Sequence, residues 1–168
     1  GFLLSLWAKY TSLVKTCGED EALRIAQASA QSVTDVMAFC KEHDIDADIQ
    51  YDGWLWAATN NAQLGLWNDT IESIGRHGLS PIKEWSAEES AGRIGTQAHI
   101  GGAFEEHAAR VQPALLARGL RRVALERGVR IYEKTPLESL THGNPVTIKT
   151  PRGQIKAERV VLAMNAWA

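Results

Sequence analysis

The sequence predicts an α+β fold, and three observations predict it. Two stretches, about 19–42 and 113–127, carry apolar residues at spacings of three and four, as one face of a helix requires. A third stretch at about 61–77 does the same over a shorter span. After residue 128 the chain breaks into short β-type runs separated by Gly, Pro and Asn, which predicts a meander of short strands.

Phe2 to Val14 is apolar with Lys9 and Lys15 as its cations, and reads as one short helix. Glu19, Asp20 and Glu21 follow, three carboxylates where negative charge complements the positive end of a helix dipole. Leu23, Ala26, Ala30, Val33, Met37 and Cys40 then form one stripe, and Val36 and Phe39 widen it. Lys41 and His43 close this helix with the favourable sign. Asp46 to Thr59 reads as a strand: Trp54 and Trp56 share one face, Tyr51, Gly53, Leu55 and Ala57 the other. Asn60 and Asn61 are turn or cap residues, and Leu64, Trp67, Ile71 and Ile74 mark an amphipathic helix ending near Gly78. Ile82 to Trp85 is a short strand. Ser86 with Glu89 three residues later is a capping-box signature. Ala98 to Phe104 is a strand interrupted by Gly101-Gly102, a pair that can mark close approach of the backbone to something else.

Pro113 stands where a first helical turn tolerates it. Leu116, Leu120, Val123 and Ala124 give the stripe of that helix, and Gly128 stands at its left-handed cap. The basic cluster Arg118, Arg121, Arg122 and Arg127 reads as its solvated face. Val129 to Glu133 is a β-type run. Leu137 to Leu140, Val146 to Thr150 and Gln154 to Ala157 are the strands of the meander. Val160 to Met164 is almost wholly apolar, as a strand buried on both faces would be.

Composition narrows the function classes. A chain of 168 residues with a 45% hydrophobic fraction is long and apolar enough for one or two small domains. A net charge of -2 lacks the basic excess of a nucleic-acid footprint. No apolar run approaches the roughly 18 residues that a membrane span needs. Cys17 and Cys40 are far apart and outside any C-x-x-C, which fits a reducing, cytoplasmic setting with Cys40 in the core. The histidines at 43, 77, 99, 107 and 142 have no metal-ligand spacing, so no metal site is expected. No G-x-S-x-G supports Ser–His–Asp chemistry.

The residues GGAFEEHAARVQPALLARGLRRVALERGVRIYEKTPLESL and VVLAMNAW resemble the D-amino-acid-oxidase, glycine-oxidase and sarcosine-oxidase family of FAD-dependent oxidoreductases. The Trp-rich middle, with four of the six tryptophans, is most similar to the γ-glutamylputrescine-oxidase-like branch. The resemblance implies an FAD-binding α/β domain, here a helix, a strand, a three-stranded meander and a strand, with part of an antiparallel substrate domain inserted. On that basis residues 1–45 and 108–168 belong to the FAD domain and 46–107 to the substrate domain. The strand and G-x-G-x-x-G turn with which the family begins are missing. Gly92-Arg93-Ile94-Gly95 and Gly101-Gly102 do not match that spacing, and Gly1-Phe2 resembles the end of the family's Arg-Asn-Gly-Gly segment. The chain is therefore expected to be an internal fragment.

The resemblance also implies site residues. Thr135-Pro136 place Leu137 where the family's main chain holds the adenine edge; the bland alternative is a turn into a strand. Ala163, Asn165, Ala166 and Trp167 lie at the exit of the expected buried strand, where ligands of open α/β sheets bind. That exit would lie against FAD, or be an ordinary loop. Trp54 and Trp56 would wall a substrate or flavin pocket, or be core residues of a half-buried sheet. No residue is assigned as catalytic, since the cofactor carries the hard chemistry in flavin enzymes. The implied activity is oxidation of a small amine or amino acid, by an oxidase or a dehydrogenase. A folded, non-catalytic module that binds no flavin alone is the alternative. The expected strands at 129–133 and 160–164 would leave a sheet edge open to self-association or cover.

Overall fold

The computed structural model describes residues 1–165 and divides into two compact units, Gly1–Val123 and a second from Ala124 onward. In the first unit, β1 (Phe2–Leu4) pairs antiparallel with β5 (Ala108–Arg110), Leu3 facing Ala109. A 3-10 turn at Trp7–Lys9 leads into α1 (Tyr10–Cys17). The single helix expected over 2–14 is thus corrected, because β5 claims the backbone of its first residues. Gly18, at φ +84°, separates α1 from α2 (Glu19–Glu42), whose bounds match the periodicity.

β2 (Trp54–Ala58), β4 (Gly101–Glu105) and β3 (Ile82–Ser86) form an antiparallel sheet with β4 in the middle. Trp54 and Ile82 both lie opposite Glu105, and Trp56 and Glu84 opposite Ala103. The strand expected from Asp46 shortens to β2. Its upstream residues bridge only at Gln50, which pairs with Arg110 beside β1 and β5. α3 (Asn68–Gly75) is shorter than the expected 61–77, since residues 61–67 form turns. There the Asn60 side chain accepts from the Ala62 and Gln63 amides, a local alternative to helical bonding. α4 (Ala87–Ile94) carries the capping box that Ser86 and Glu89 announce: each side chain bonds the other's backbone N–H, and these bonds hold the Glu89 carboxyl below its usual range.

Two apolar clusters fill this unit, and α2 contributes to both. Its amino-terminal half puts Ala22 and Ala26 against Trp7, Tyr10, Trp67, Ile74 and Ala103. Its carboxyl-terminal half puts Cys40, flanked by Val36 and Phe39, against Ile45, Ala47, Val111 and Val123. Arg122 is not merely solvated: its guanidinium donates to the carbonyls of His43, the cap of α2, and of Asp44 just beyond it.

α5 (Pro113–Glu126) ends in the second unit. The Gly128 and Val129 amides bond the Leu125 and Ala124 carbonyls, with Gly128 at φ +82°, which is a Schellman cap. β6 (Ser139–Thr141), β7 (Val146–Thr150) and β8 (Gly153–Ala157) then form the meander, Leu140 facing Ile148 and Ile148 facing Ile155. The strands expected at 129–133 and 160–164 do not form. Extended backbone needs a neighbour for its amides and carbonyls, and neither run has a partner strand among the described residues. Val161 is 88% exposed, so the burial on both faces expected of 160–164 is also corrected.

Gly119 of α5 yields a test. A Cβ at this position would fall on the Ile45 side chain. Helix propensity alone favours Gly119→Ala by about 1 kcal/mol. Overpacking costs about 1–3 kcal/mol, so chemical denaturation is expected to show a net loss of stability. A stabilised variant would mean that α5 can move away from Ile45.

Candidate cofactor and substrate site

In the second unit, Thr135 and Pro136 deliver Leu137 to the entrance of the meander. Thr135 Oγ1 donates back to the Glu133 carbonyl at 2.9 Å, and the Glu138 amide donates to the Lys149 carbonyl at 2.9 Å. Leu137 lies between these contacts, one residue before the ladder. Its own amide and carbonyl pair with nothing among the described residues, and it is 38% exposed. A residue with an open donor and an open acceptor on its main chain can hold the edge of a heterocycle. Ala163 and Asn165 lie in the exposed run that ends the described chain, with Asn165 at φ +53°. No hydrogen bond joins either to Leu137. Ala166 and Trp167 lie outside the described residues. In the same unit, Leu140, His142, Val146, Val160 and Leu162 line a concavity of about 400 Å3.

In the first unit, Trp54 and Trp56 project from the face of β2 that also carries Ala58. Trp56 packs on the first cluster, its ring edge-to-face with Trp67 at 6.2 Å. Trp54 is half-buried, and its indole Nε1–H donates to Glu105 Oε2 at 2.9 Å. Glu105 itself has no exposure to water. Its other oxygen accepts from the Ser5 hydroxyl, which in turn accepts from the Trp7 amide at 3.1 Å. Burial pushes the Glu105 carboxyl above its ordinary range, against the Ser5 and Trp54 hydrogen bonds and the nearby His107, which favour ionisation. His107 Nδ1 lies 3.0 Å from the Tyr51 hydroxyl. The sequence reading missed Glu105 because it ended that strand at Phe104. Two-residue alternation from Gly101 and Ala103 would have put Glu105 on the same buried face.

The glycines do not make a phosphate turn. Gly92 and Gly95 lie within and just past the carboxyl end of α4, where the dipole repels anions. Gly101 and Gly102 are inside β4, and a Cβ on either would meet Leu64 or Leu55. Their smallness serves packing.

The first unit thus carries a Trp-bearing antiparallel sheet, and the second a meander entered through an open main-chain position. The family model for FAD dependent oxidoreductases, DAO, matches residues 5–168, and the chain belongs to that family. Curated relatives include a probable oxidoreductase OrdL of Haemophilus influenzae, 24% identical over 92% of this chain. Another is the gamma-glutamylputrescine oxidoreductase of Escherichia coli, 24% identical over 91%. This chain spans 36% of the length of each. Among solved structures, glycine oxidase from Geobacillus kaustophilus superposes with a TM-score of 0.75 at 22% identity, over 85% of this chain and 40% of that one. L-Amino acid deaminase from Proteus myxofaciens does so at 0.70 and 22% identity, over 83% and 33%. The family's cofactor is FAD. Leu137 leaves its main-chain donor and acceptor unpaired among the described residues, and no pyrophosphate turn is present among them.

Glu105 gives a test by pH. A carboxyl with a raised pKa keeps its proton in the folded chain where the unfolded chain has lost it. Folding stability therefore falls as pH rises from the ordinary glutamate range up to the folded pKa. Urea unfolding across that window is expected to show this decline in the wild type and a flatter profile in Glu105→Gln. Parallel profiles would assign the pH dependence to another group.

Proposed function

We propose that this chain is part of an FAD-dependent oxidoreductase that oxidises the C–N bond of an amine or amino acid. The observation that carries this reading is the family match over residues 5–168, together with a gamma-glutamylputrescine oxidoreductase among the relatives. Bound FAD supplies the acceptor for a hydride equivalent from the carbon that bears nitrogen. In this reading residues 1–45 and 108–168 serve the FAD domain, and residues 46–107 the substrate domain. Leu137 holds the adenine edge through its main chain, and Ala163, Asn165, Ala166 and Trp167 contact the cofactor. Trp54 and Trp56 stand on the substrate side. Trp54 is the stronger candidate, because Trp56 is engaged with Trp67 in the core. The reading includes both oxidase and dehydrogenase variants, which differ in the final electron acceptor. Expression of the whole reading frame tests it. A yellow protein whose visible absorption bleaches when γ-glutamylputrescine or glycine is added without oxygen is the expected outcome. A colourless, folded protein would favour a non-catalytic module.

The main-chain role of Leu137 makes a sharper prediction in the whole protein. Leu137→Val should retain FAD like the wild type. Leu137→Pro removes the N–H donor. The loss of one buried hydrogen bond costs about 1–3 kcal/mol, roughly one to two decades of affinity. Equal FAD affinity in a folded Leu137→Pro variant, checked by circular dichroism, would remove Leu137 from the site.

One observation also favours weak flavin binding by the 168-residue chain alone. Tight dinucleotide binding in this class relies on a Gly-rich turn at a helix amino terminus, and the described residues offer none. Titration with FAD, followed by flavin fluorescence, is expected to show no stoichiometric binding at submicromolar concentration. Such binding would mean that the phosphates find a different site.

A further inference from the structure

Glu105 is a fully buried carboxylate on the middle strand of its sheet, outside every role assigned so far. Buried Ile82 lies opposite it on β3, and buried Ala103 two residues before it on its own strand. Such a position costs stability unless both oxygens are matched. They are matched asymmetrically. The Ser5 hydroxyl, itself bonded to the Trp7 amide, holds Oε1. The Trp54 indole holds Oε2. Trp54 is also the cross-strand partner of Glu105, so ring and carboxylate are bound by both backbone register and side chain. Neighbouring Trp56 is held by packing against Trp67 instead. The Trp54 indole N–H therefore answers to one buried acceptor, while the residue stays only partly covered. It also borders a concavity of about 290 Å3, with Asp52, Arg93, Ile94 and Phe104 among its walls.

We propose that Glu105 is a positioning residue that holds the Trp54 indole in a single orientation and thereby sets affinity for the amine substrate, leaving the chemical step unchanged. This rests on the reading of Trp54 as a substrate-side residue. Rigid placement of a wall residue acts on ground state and transition state alike, so its loss raises KM while kcat holds. Glu105→Gln keeps an acceptor for the indole, and its amide can donate to the Ser5 oxygen. Glu105→Leu removes both contacts at similar volume, and Glu105→Asp withdraws the oxygens by one methylene.

The experiment uses the whole reading frame as the flavoprotein, with γ-glutamylputrescine as the amine. Glu105→Leu is expected to raise KM about tenfold with kcat within about twofold, and Glu105→Gln to restore both. Glu105→Asp should fall between them, and it carries the test if Glu105→Leu does not fold. A fall in kcat at unchanged KM, or a Glu105→Gln variant as impaired as Glu105→Leu, overturns the proposal. The 15N-labelled indole resonance of Trp54 reads the hold on the ring directly, with or without turnover. It is expected to shift and broaden in Glu105→Leu or Glu105→Asp but not in Glu105→Gln. An unmoved resonance in Glu105→Leu or Glu105→Asp overturns the proposal. Trp54→Ala separates the two readings. A normal KM in that variant defeats the substrate-side reading of Trp54 and the affinity claim with it, while the resonance still decides whether Glu105 holds the ring. A wild type that leaves γ-glutamylputrescine untouched overturns the affinity claim for this amine.

Discussion

A carboxylate without access to water must be matched oxygen by oxygen, and Glu105 imposes that requirement on the first unit. The donors come from far apart in the chain. Ser5 lies 100 residues before it and Trp54 lies 51 before it. To bring both to one strand, β1 must end beside the sheet and β2 must pair with β4 in the register that sets Trp54 opposite Glu105. A one-residue slip would turn the indole to the other face and leave an oxygen unpaired. The burial of one carboxyl group therefore acts as a register lock, because each oxygen keeps a hydrogen bond only in this pairing.

The rest of the first unit is arranged so that this strand can be thin. Gly101, Gly102 and Ala103 let β2, β3 and the helices close over β4, and a Cβ on Gly102 would already meet Leu55. α2 does the corresponding work on the helical side. Small Ala22 and Ala26 admit the aromatic cluster, and Cys40 serves the second cluster near the other end. One helix with two kinds of face along its length links the two clusters. Arg122 extends the same logic, bonding the carbonyls of His43 and Asp44 where the chain leaves α2.

The second unit is built differently. Its meander joins neighbours in sequence through short turns, so its register follows from local geometry. What surrounds the meander is less enclosed. Val129, Tyr132, Val161 and Leu162 are large and exposed. Leu137 stands at the entrance of the meander, with its amide and carbonyl unpaired among the described residues.

The amino-acid sequence by itself determined the elements whose signals are local. The stripe and acidic start of α2, the Ser86–Glu89 box, the Pro113 start and Gly128 cap of α5 and the turns of the meander can all be read within a few residues. So could the family, from the order of these elements and the Thr135-Pro136 and Val160–Trp167 segments. Tertiary structure alone decided the rest. Phe2–Leu4 became a strand because Ala108–Arg110 offered it a partner, and 129–133 and 160–164 stayed irregular because none of the described residues did. Backbone pairing is a property of two segments, and a single window of sequence contains only one of them. Glu105 shows the same limit in side chains. Alternation could place it on the inner face, but only the fold brings Ser5 and Trp54 within hydrogen-bond reach, which gives a buried carboxyl group its partners there.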